Sequence, residues 1–437
     1  MAKSKPMSLI TSIKQSYQSH FLPTQTVYIA CSGGRDSMAL LFACHQLGLP
    51  IHVLHVNHKL QAMSDDWQNM VESFCQTYHI PCQSFCLAWQ APQRVNEAQA
   101  RTARYQAMAG FVPSQAVIAT AHHANDQAET LLINLCKGAG LAGLVGMSEL
   151  SDQPEFGKPI RLWRPLLHFT REEISGFVTE HQIAYIDDPT NATGDNQRAF
   201  LREQVLPKLE ARFGNVINNI NRTQTNLRHA KTSIDAQVTR DLADCQIANP
   251  QNIKPPLDID KLIKLSHPRR FELLHTWVKG EKKFAPHRQL IEQIDALIFS
   301  QNPEQQAILY WQGIQIRRYR KALYRLDTSD QQALHAMIKL TDNLPFDLRA
   351  VMPNEKFCRL GNGFHEPFKK ICQRLAIPSW DREDAKVLTN KNGKNFALVL
   401  PKQLIWLTDS QMLSTDLKYD LSQRFTELIN QSRDCKT

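Results

Sequence analysis

The sequence has no long apolar run and no cysteine pair of the C-x-x-C kind. A membrane-spanning helix needs about 18 or more consecutive apolar residues, so none is predicted. The ten cysteines are scattered over 437 residues, and Cys82 and Cys86 are the closest pair. This spacing argues against a zinc ribbon, an iron–sulfur site and a disulfide framework. We therefore expect reduced, mostly buried thiols and a cytoplasmic protein.

The first residues, MAKSKPMSLI, are too short and too polar for a secretory signal. The formal charge of +9 and the pI near 9.0 indicate a polyanionic partner, and nucleic acid is the partner that fits best. We expect no membrane contact and no stable protein partner. The length exceeds what a single core usually holds, which predicts about two or three domains.

The first two hundred residues alternate between short β-branched runs and helix-like segments. This alternation predicts β-α-β units, with a doubly wound parallel sheet and helices on both faces. Ligands bind such sheets beyond the carboxyl ends of the strands. The predicted strands are 26–31, 51–57, 82–87 and 116–122, and the predicted helices are 36–47, 65–79, 96–111 and 126–137.

The rest of the chain has a different pattern. A long polar helix is predicted over 215–245, followed by a proline-containing linker at 249–258 and further helices to residue 298. Residues 308–326 predict a hairpin that turns at Gly313. The tail mixes strands at 396–400 and 404–407 with a helix near 366–376. We therefore predict a catalytic domain at 1–213, a mainly helical middle domain at 214–330 and a small α+β domain at 351–437.

The segment IACSGGRDSMALL, residues 29–41, places two glycines between a strand and a helix. Glycines permit close approach of a ligand to the backbone, and a helix start offers free N–H groups to phosphate. The segment lacks the G-x-x-x-x-G-K-[ST] pattern, so no lysine is provided for γ-phosphate transfer. Asp36 would repel bare phosphate, which indicates a bridging Mg²⁺ ion. A glycine turn followed by an ordinary helix cap is the alternative.

S-G-G-x-D-S after a first strand resembles the pyrophosphate loop of the N-type ATP pyrophosphatases, which activate a carbonyl oxygen as an adenylate. Further segments are similar, in the same order and spacing, to the tRNA(Ile)-lysidine synthase family. They are HVNH (55–58), NEAQARTARY (96–105), ATAHHANDQAETLLINLCKGAGLAGLVGM (119–147), RPLL (164–167), DDPTNATGDNQRAFLREQVLP (187–207) and KKICQRLAIPSWDRE (369–383).

The resemblance implies an ATP-dependent ligase that attaches free L-lysine to C2 of the wobble cytidine in the CAU anticodon of tRNA(Ile), through an adenylated tRNA. It also implies ATP and Mg²⁺ as cofactors, with the extra domains recognising the tRNA. Two rival hypotheses are a tRNA thiolase of the same superfamily and a catalytically inactive tRNA-binding protein. A thiolase should have C-x-x-C or a catalytic cysteine near the loop, and an inactive protein should have a degraded loop.

The resemblance predicts three groups of site residues. The proposed catalytic residues are Asp36, Asp126 and Glu129, with Asp36 also as the Mg²⁺ ligand. Asp126 and Glu129 are three apart, so on a helix they share a face and can converge on lysine; a plain capping arrangement is the alternative. At positions 122–130 the family usually has H-H-A-D-D-Q-A-E-T, whereas this chain has Asn125 in place of the first Asp of that motif. The predicted ATP-binding residues are Ser32, Gly33, Gly34, Arg35, Asp36, Ser37, His55 and His122.

Arginine and lysine side chains form the predicted tRNA or substrate contacts. Guanidinium groups suit phosphate, although a solvated surface face is the alternative for each. The basic RRYRK segment (317–321) is compatible with RNA contact, and equally with a half-buried hairpin. The contact residues are Arg101, Arg104, Arg198, Arg202, Lys369, Lys370 and Arg382.

Overall fold

The computed structural model describes residues 8–59, 63–87, 97–153, 156–186, 197–247, 255–282, 284–300, 307–327, 344, 346–361, 363–375, 377–383, 385–400 and 403–434. The chain divides into two compact units, Met1–Ser233 and Ile234–Thr437. The sequence predicts three domains, whereas the structure separates two compact units, so the three-domain division stays a prediction.

A six-stranded sheet forms the centre of the first unit. Its strands are β1 (Val27–Ala30), β2 (Ile51–Asn57), β3 (Cys82–Cys86), β4 (Val117–Ala119), β5 (Leu150–Gln153) and β6 (Ile160–Trp163). The order across the sheet is β3-β2-β1-β4-β6-β5, and only β5 is antiparallel to its neighbour. The strand order reverses between β1 and β4, and such a switch point opens a crevice where ligands bind.

Helices cover both faces of this sheet, as predicted. They are α1 (Leu9–His20), α2 (Arg35–Gln46), α3 (Ser64–Thr77), α4 (Glu97–Phe111), α5 (Ala124–Cys136), α6 (Leu141–Leu144) and α7 (Arg171–Glu180). Residues of α1, α2, α3 and α7 share one apolar core with Val27, Ile29 and Val53. Residues of α4 share a second core with Leu54 and Ile118. Alternate strand residues thus face opposite cores, as the pleat requires.

A helical segment follows the sheet. It contains α8 (Gln197–Phe200), a π-helical turn (Leu201–Val205), α9 (Leu206–Phe213) and α10 (Val216–Cys245). A single π-helical turn within an α-helix is frequent at functional sites. Helix α10 confirms the long polar helix that was predicted over 215–245.

The loop at 137–147, which contains the short helix α6, is held by side chains of α5 and α10. Gln127 Nε2 donates to the carbonyl of Met147 at 2.7 Å, and the Met147 amide donates back to Gln127 Oε1 at 2.8 Å. Arg228 Nη2 donates to the carbonyls of Val145 and Met147 at 3.0 and 3.2 Å. The loop carbonyls and amide are thereby satisfied by side chains from two helices, which fixes the loop against both.

In the second unit, three helices after α10 pack on a four-stranded antiparallel sheet. The helices are α11 (Ile259–Leu262), α12 (His267–Lys279) and α13 (Arg288–Phe299), and the strands are β7 (Leu257–Asp258), β8 (Ile308–Trp311), β9 (Ile314–Tyr319) and β10 (Ala322–Asp327). The order is β7-β10-β9-β8, and the predicted turn at Gly313 joins β8 to β9. Leu257 is fully buried, so the end of the predicted linker 249–258 is a strand paired with β10; residues 249–254 lie outside the described part of the chain.

The last part of the chain is α+β, as predicted. Its elements are β11 (Asp347–Ala350), β12 (Lys356–Phe357), β13 (Glu366–Pro367), α14 (Phe368–Arg374), α15 (Ser379–Arg382), β14 (Lys386–Thr389), β15 (Asn395–Leu400), β16 (Gln403–Trp406), a 3₁₀ turn (Thr408–Met412) and α16 (Thr415–Asp434). The strands form an antiparallel sheet in the order β11-β14-β15-β16 and a two-stranded ladder of β12 and β13. Among the helices described, none has the length and apolar character to cross a bilayer.

Gly146 gives a stability prediction for the loop at 137–147. Its φ is +69°, and an added Cβ would stand within 2.5 Å of Gln127 Oε1 and closer still to Gln224 Nε2. Gly138 has the same φ of +69° but open space around its Cα. We expect Gly146→Ala to lower the free energy of unfolding by about 2–4 kcal/mol, the sum of positive-φ strain and overpacking.

Gly138→Ala is the matched control, because it carries the backbone strain alone and should cost about 1 kcal/mol. Urea unfolding of the two variants gives both values. Equal effects of the two substitutions would show that close packing between Gly146 and the two glutamine side chains contributes nothing.

Candidate active site

The glycine-containing loop lies at the switch point, between the end of β1 and the start of α2. Gly33 has φ +87°, and an added Cβ would be 3.3 Å from Met70 Cε, so the position requires glycine. Gly34 occupies the N-cap position of α2 and supplies no side-chain cap. The Ser37 hydroxyl donates to the Gly34 carbonyl at 2.8 Å and accepts from the Ser32 amide at 3.2 Å. The first amides of α2 are thereby left for an anion.

Asp36 lies between Arg35 and His123. Its Oδ1 lies 3.1 Å from Arg35 Nε, and its Oδ2 lies 3.5 Å from His123 Nε2. Burial pushes the pKa of Asp36 upward, but the hydrogen bond and charge of His123, with help from Arg35, leave that pKa below its usual value. Burial likewise opposes charge on His123, but Asp36 and Asp126 raise its pKa above the usual value. Each of the two residues thus favours the charged form of the other on the cavity wall.

Asp126 caps the helix that carries it. Its Oδ2 accepts from the His123 amide at 2.9 Å, at the start of α5. The capping alternative is therefore present in the structure. Its Oδ1 makes no hydrogen bond to any residue in the described ranges. One carboxylate oxygen is thus available to a ligand in the cavity.

Glu129 is fully buried and paired with arginines from the segment around the π-helical turn. Arg202 donates from Nε to Oε1 at 2.9 Å and from Nη2 to Oε2 at 3.2 Å. Arg198 Nη1 lies 3.7 Å from Oε2. Such a bidentate pair satisfies a carboxylate that would be costly to bury alone. Asp126 and Glu129 therefore line the same cavity but have different partners.

Two predicted histidines lie at the ends of β2 and β4. His55 is buried, and its Nδ1 donates to the Cys31 carbonyl at 2.9 Å. Burial lowers the pKa of His55 below its ordinary value. Burial also lowers the pKa of His122 to about 3, against the opposing charge of Asp126 and with help from nearby arginines. Both imidazoles are neutral near pH 7, so they act as hydrogen-bonding groups and not as cations.

A cavity of about 1290 Å³ collects these groups. This volume exceeds the roughly 300–1,000 Å³ typical of a site for one small ligand. It therefore has room for a nucleotide and a second reactant. The predicted residues that line it are Ser32, Gly34, Arg35, Asp36, Ser37, His55, Arg104, His122, Asp126, Glu129 and Arg202.

The other predicted residues of the first unit lie near the cavity without lining it. Gly33 sets the turn of the loop, and Arg198 reaches Glu129. Arg101 is exposed and lies over the ring of Tyr105, 5.1 Å from its centroid. Arg104, which does line the cavity, lies 5.5 Å from the same centroid. The structure thus brings most of the predicted ATP and substrate residues together.

The predicted residues of the second unit divide into exposed and engaged groups. Lys369 and Lys370 are exposed on α14. Arg382 Nη2 donates to the Ile377 carbonyl at 2.6 Å and to the Tyr319 hydroxyl at 2.9 Å. Its guanidinium therefore joins the segment around Trp380 to strand β9.

For the RRYRK segment the structure favours the half-buried hairpin over an RNA contact, because the cations of the segment have partners within the protein. Arg317 lies over the ring of Trp380, 5.1 Å from its centroid. Arg318 Nη1 donates to three carbonyls at the end of α13, at 2.7 to 3.2 Å. Arg320 donates to the Gln373 carbonyl at 2.6 Å, and Lys321 lies 2.6 Å from Asp260.

His123 and Arg171 are among the cavity residues that lie outside the predicted ATP and substrate set. His123 is the partner of Asp36, and Arg171 is the first residue of α7 and lines the cavity. The sequence held a signal for Arg171, since Thr170 and Glu173 form a T-x-x-E capping box that fixes the helix start.

The rival thiolase hypothesis requires a reactive cysteine near the loop, and Cys31 is the cysteine beside it. Cys31 is buried, and burial raises the pKa of its thiol to about 11, against the hydrogen bonds that favour the thiolate. A thiol with such a pKa is a poor nucleophile near pH 7. Within the described ranges, no three His, Cys, Asp or Glu side chains are grouped as metal ligands.

Comparisons with known proteins agree with this geometry. Residues 7–209 match the PP-loop domain family, and residues 257–324 match the TilS substrate binding domain. A tRNA(Ile)-lysidine synthase of Acinetobacter baylyi is 30% identical over 428 residues, covering 90% of this chain and 90% of that protein. The enzyme of the same name from Psychrobacter sp. is 34% identical over 365 residues, covering 76% of this chain and 69% of that protein.

A third relative, the tRNA(Ile)-lysidine synthase of Methylococcus capsulatus, is 31% identical over 404 residues, covering 84% of this chain and 90% of that protein. The PP-loop match includes the loop, the two histidine-bearing strand ends and most of the residues that line the cavity. The chain belongs to the tRNA(Ile)-lysidine synthase family.

Proposed function

We propose that this protein uses ATP to ligate L-lysine to C2 of the wobble cytidine in the CAU anticodon of tRNA(Ile), releasing AMP and pyrophosphate. The product, lysidine, pairs with A in place of G. The observation that carries this proposal is a cavity in which an open helix start, a neutral histidine pair and an available carboxylate oxygen meet. Family membership supports the choice of reactants.

ATP binding is assigned to the loop at the start of α2. Its phosphates would accept hydrogen bonds from the loop amides and from the hydroxyls of Ser32 and Ser37, with Gly33 and Gly34 allowing close approach. Arg35 supplies a cation beside this site. His55 and His122 are neutral hydrogen-bonding groups along the same wall.

The residues of the cavity fit a Mg²⁺ ion that is carried by the nucleotide. Mg²⁺ in nucleotide sites is bound by one or two carboxylates together with phosphate oxygens and water, so a cage of protein ligands is not required. Asp36 on the cavity wall would supply such a carboxylate. When bound, the ion would neutralise charge on the phosphates and on the leaving pyrophosphate.

The first chemical step activates the cytidine. The 2-oxo oxygen attacks the α-phosphate, an O–P bond forms, and pyrophosphate leaves with the electron pair of the broken P–O bond. A base carbonyl oxygen is a very poor leaving group until it becomes part of an adenylate. The amides at the start of α2 and the arginines of the cavity would stabilise the charge that develops on the phosphates.

The second step needs lysine with a neutral side-chain amine. Its reference pKa of about 10.4 makes deprotonation at pH 7 cost roughly 4–5 kcal/mol. We assign the binding of the ammonium group and the acceptance of its proton to Asp126, whose Oδ1 is available. Glu129 serves the same step indirectly, because it orients Arg202 at the cavity. The amine then attacks C2, the C2–O bond breaks, and AMP leaves.

Recognition of the tRNA is assigned to the three proposed domains, 1–213, 214–330 and 351–437, and the proposed basic contacts lie in the first and the last of them. Lys369 and Lys370 are exposed and would contact phosphate, while Arg382 would position the segment that carries them. Arg101, Arg104 and Arg198 lie around the catalytic cavity, where an anticodon with a splayed-out cytidine must enter. A net charge of +9 favours such contacts.

The rival hypotheses are not favoured. A thiolase needs an accessible cysteine near the loop, and Cys31 is buried with a raised pKa. An inactive tRNA-binding protein has no need for the retained loop and its open helix start.

The direct test incubates the purified protein with labelled lysine, ATP and tRNA(Ile) carrying CAU. We expect label in the tRNA, with one AMP and one pyrophosphate formed for each lysine. The control is the same tRNA with guanosine at the wobble position, which lacks the cytidine 2-oxo group and should take up no label. Absence of label from the CAU tRNA, or equal label in both tRNAs, would contradict the proposal.

Asp126→Asn tests the assignment of lysine to Asp126. Asparagine keeps a carbonyl oxygen that can accept from the His123 amide, but it neither balances an ammonium charge nor takes its proton. We expect tRNA adenylation near the wild-type rate and lysine transfer slowed about 100-fold or more. A single-turnover assay that separates the two steps should show adenylated tRNA accumulating. A block of adenylation with unchanged lysine binding would assign Asp126 to the nucleotide site.

Lys369→Ala with Lys370→Ala tests the binding of phosphate by α14. Removing each lysine that binds a phosphate should reduce the salt slope of tRNA binding by about 1, while ATP affinity stays unchanged. Arg382→Ala is the comparison, because this side chain bonds to Ile377 and Tyr319 and its removal should leave more of the slope intact. An unchanged slope in the double lysine variant would contradict the assignment.

A further inference from the structure

Asn125 joins the starts of two helices at the edge of the cavity. Its Oδ1 accepts a hydrogen bond from the Arg171 amide at 2.9 Å, so a side chain of α5 bonds to the first residue of α7. The Ala124 amide next to it donates to the Phe169 carbonyl at 2.8 Å. Together these bonds fix the place from which the Arg171 side chain leaves the backbone.

The Arg171 side chain differs from its neighbours in how its charge is balanced. It is half-buried and lines the cavity, yet within the described ranges its guanidinium makes no hydrogen bond or ion pair. By contrast, Arg35 pairs with Asp36 and Arg202 pairs with Glu129. Arg171 is therefore the guanidinium of these three that is left for a ligand.

The surroundings of Arg171 make an anionic ligand favourable. Burial lowers the pKa of Arg171, and the charges of Arg35 and Arg202 act in the same direction, against Asp36 and Glu129. Three guanidinium groups thus line one cavity, and the two carboxylates that act on Arg171 are already paired with Arg35 and Arg202. A phosphate group would relieve this repulsion and accept bidentate hydrogen bonds from the planar fork.

We propose that Arg171 binds the phosphate chain of ATP, and that Asn125 positions Arg171 through its bond to the Arg171 amide. The inference rests on the proposed ATP site and adds two residues to it. Asn125 is then a positioning residue, whose work requires a hydrogen-bond acceptor and no negative charge.

The test measures ATP binding by calorimetry, and the KM values for ATP and lysine, in a set of full-length variants. Arg171→Met keeps the apolar stem and removes the fork, and we expect the Kd for ATP to rise about 10- to 100-fold, as for removal of a hydrogen bond to a charged group. The KM for lysine should change less than about 2-fold, which separates a specific effect on phosphate binding from general damage to the cavity.

Asn125 is tested through a double-mutant cycle. Asn125→Ala should weaken ATP binding in the wild-type background but have no further effect in Arg171→Met, because the side chain that it positions is gone. Asn125→Asp keeps the acceptor and should retain the wild-type Kd at both low and high Mg²⁺. If Asn125→Ala fails to fold, the Asp variant and Arg171→Lys, which keeps charge without the fork, still decide.

Several results would overturn the inference. One is a double variant in which the separate effects of Asn125→Ala and Arg171→Met on the Kd for ATP multiply. Another is an unchanged ATP affinity in Arg171→Met. The third is an Asn125→Asp variant that gains ATP affinity mainly at low Mg²⁺. The last result would make position 125 a metal ligand. Failure of the proposed reaction is distinguishable, because ATP binding is measured without tRNA or lysine.

Discussion

Charge pairing at the starts of α2 and α5 is the constraint on which the catalytic unit depends. Asp36 lies between Arg35 and His123, and the fully buried Glu129 is held by Arg202. Unpaired, these carboxylates would be costly to bury. Paired, they hold arginine and histidine side chains in place around a cavity before any reactant arrives, which is the preorganisation that charge-developing reactions need.

The fold supplies the geometry that makes this pairing possible. The strand order reverses between β1 and β4, so the loops after these strands border one crevice. Gln127 lies between Asp126 and Glu129 on α5, and its amide bonds to both backbone groups of Met147. This contact fixes the rotation of α5 about its axis, and Gly146 permits it by lacking a Cβ. Catalytic geometry and loop packing thus depend on the same short segment.

Sequence patterns predicted strands β1 to β4, helices α2 to α5 and the loop, because period, glycine placement and caps are local properties; β5, β6, α1, α6 and α7 were not predicted. The partners of the charged residues were not predicted, since Glu129 and Arg202 are 73 positions apart and meet only in the folded chain. For the same reason the partners of Arg382 were not predicted. Its charge suggested a contact with RNA, but its guanidinium bonds to Tyr319 and Ile377. Neither local spacing nor charge reveals whether a cation already has a partner.

The central claim is that the 2-oxo oxygen of the wobble cytidine is adenylated and then departs with AMP. The most direct measurement uses tRNA(Ile) with ¹⁸O at this oxygen, with ATP, lysine and the purified protein, and analyses the products by mass spectrometry. The account predicts one ¹⁸O atom in each AMP and none in pyrophosphate. Retention of ¹⁸O in the lysine-modified tRNA, or AMP without ¹⁸O, would contradict it.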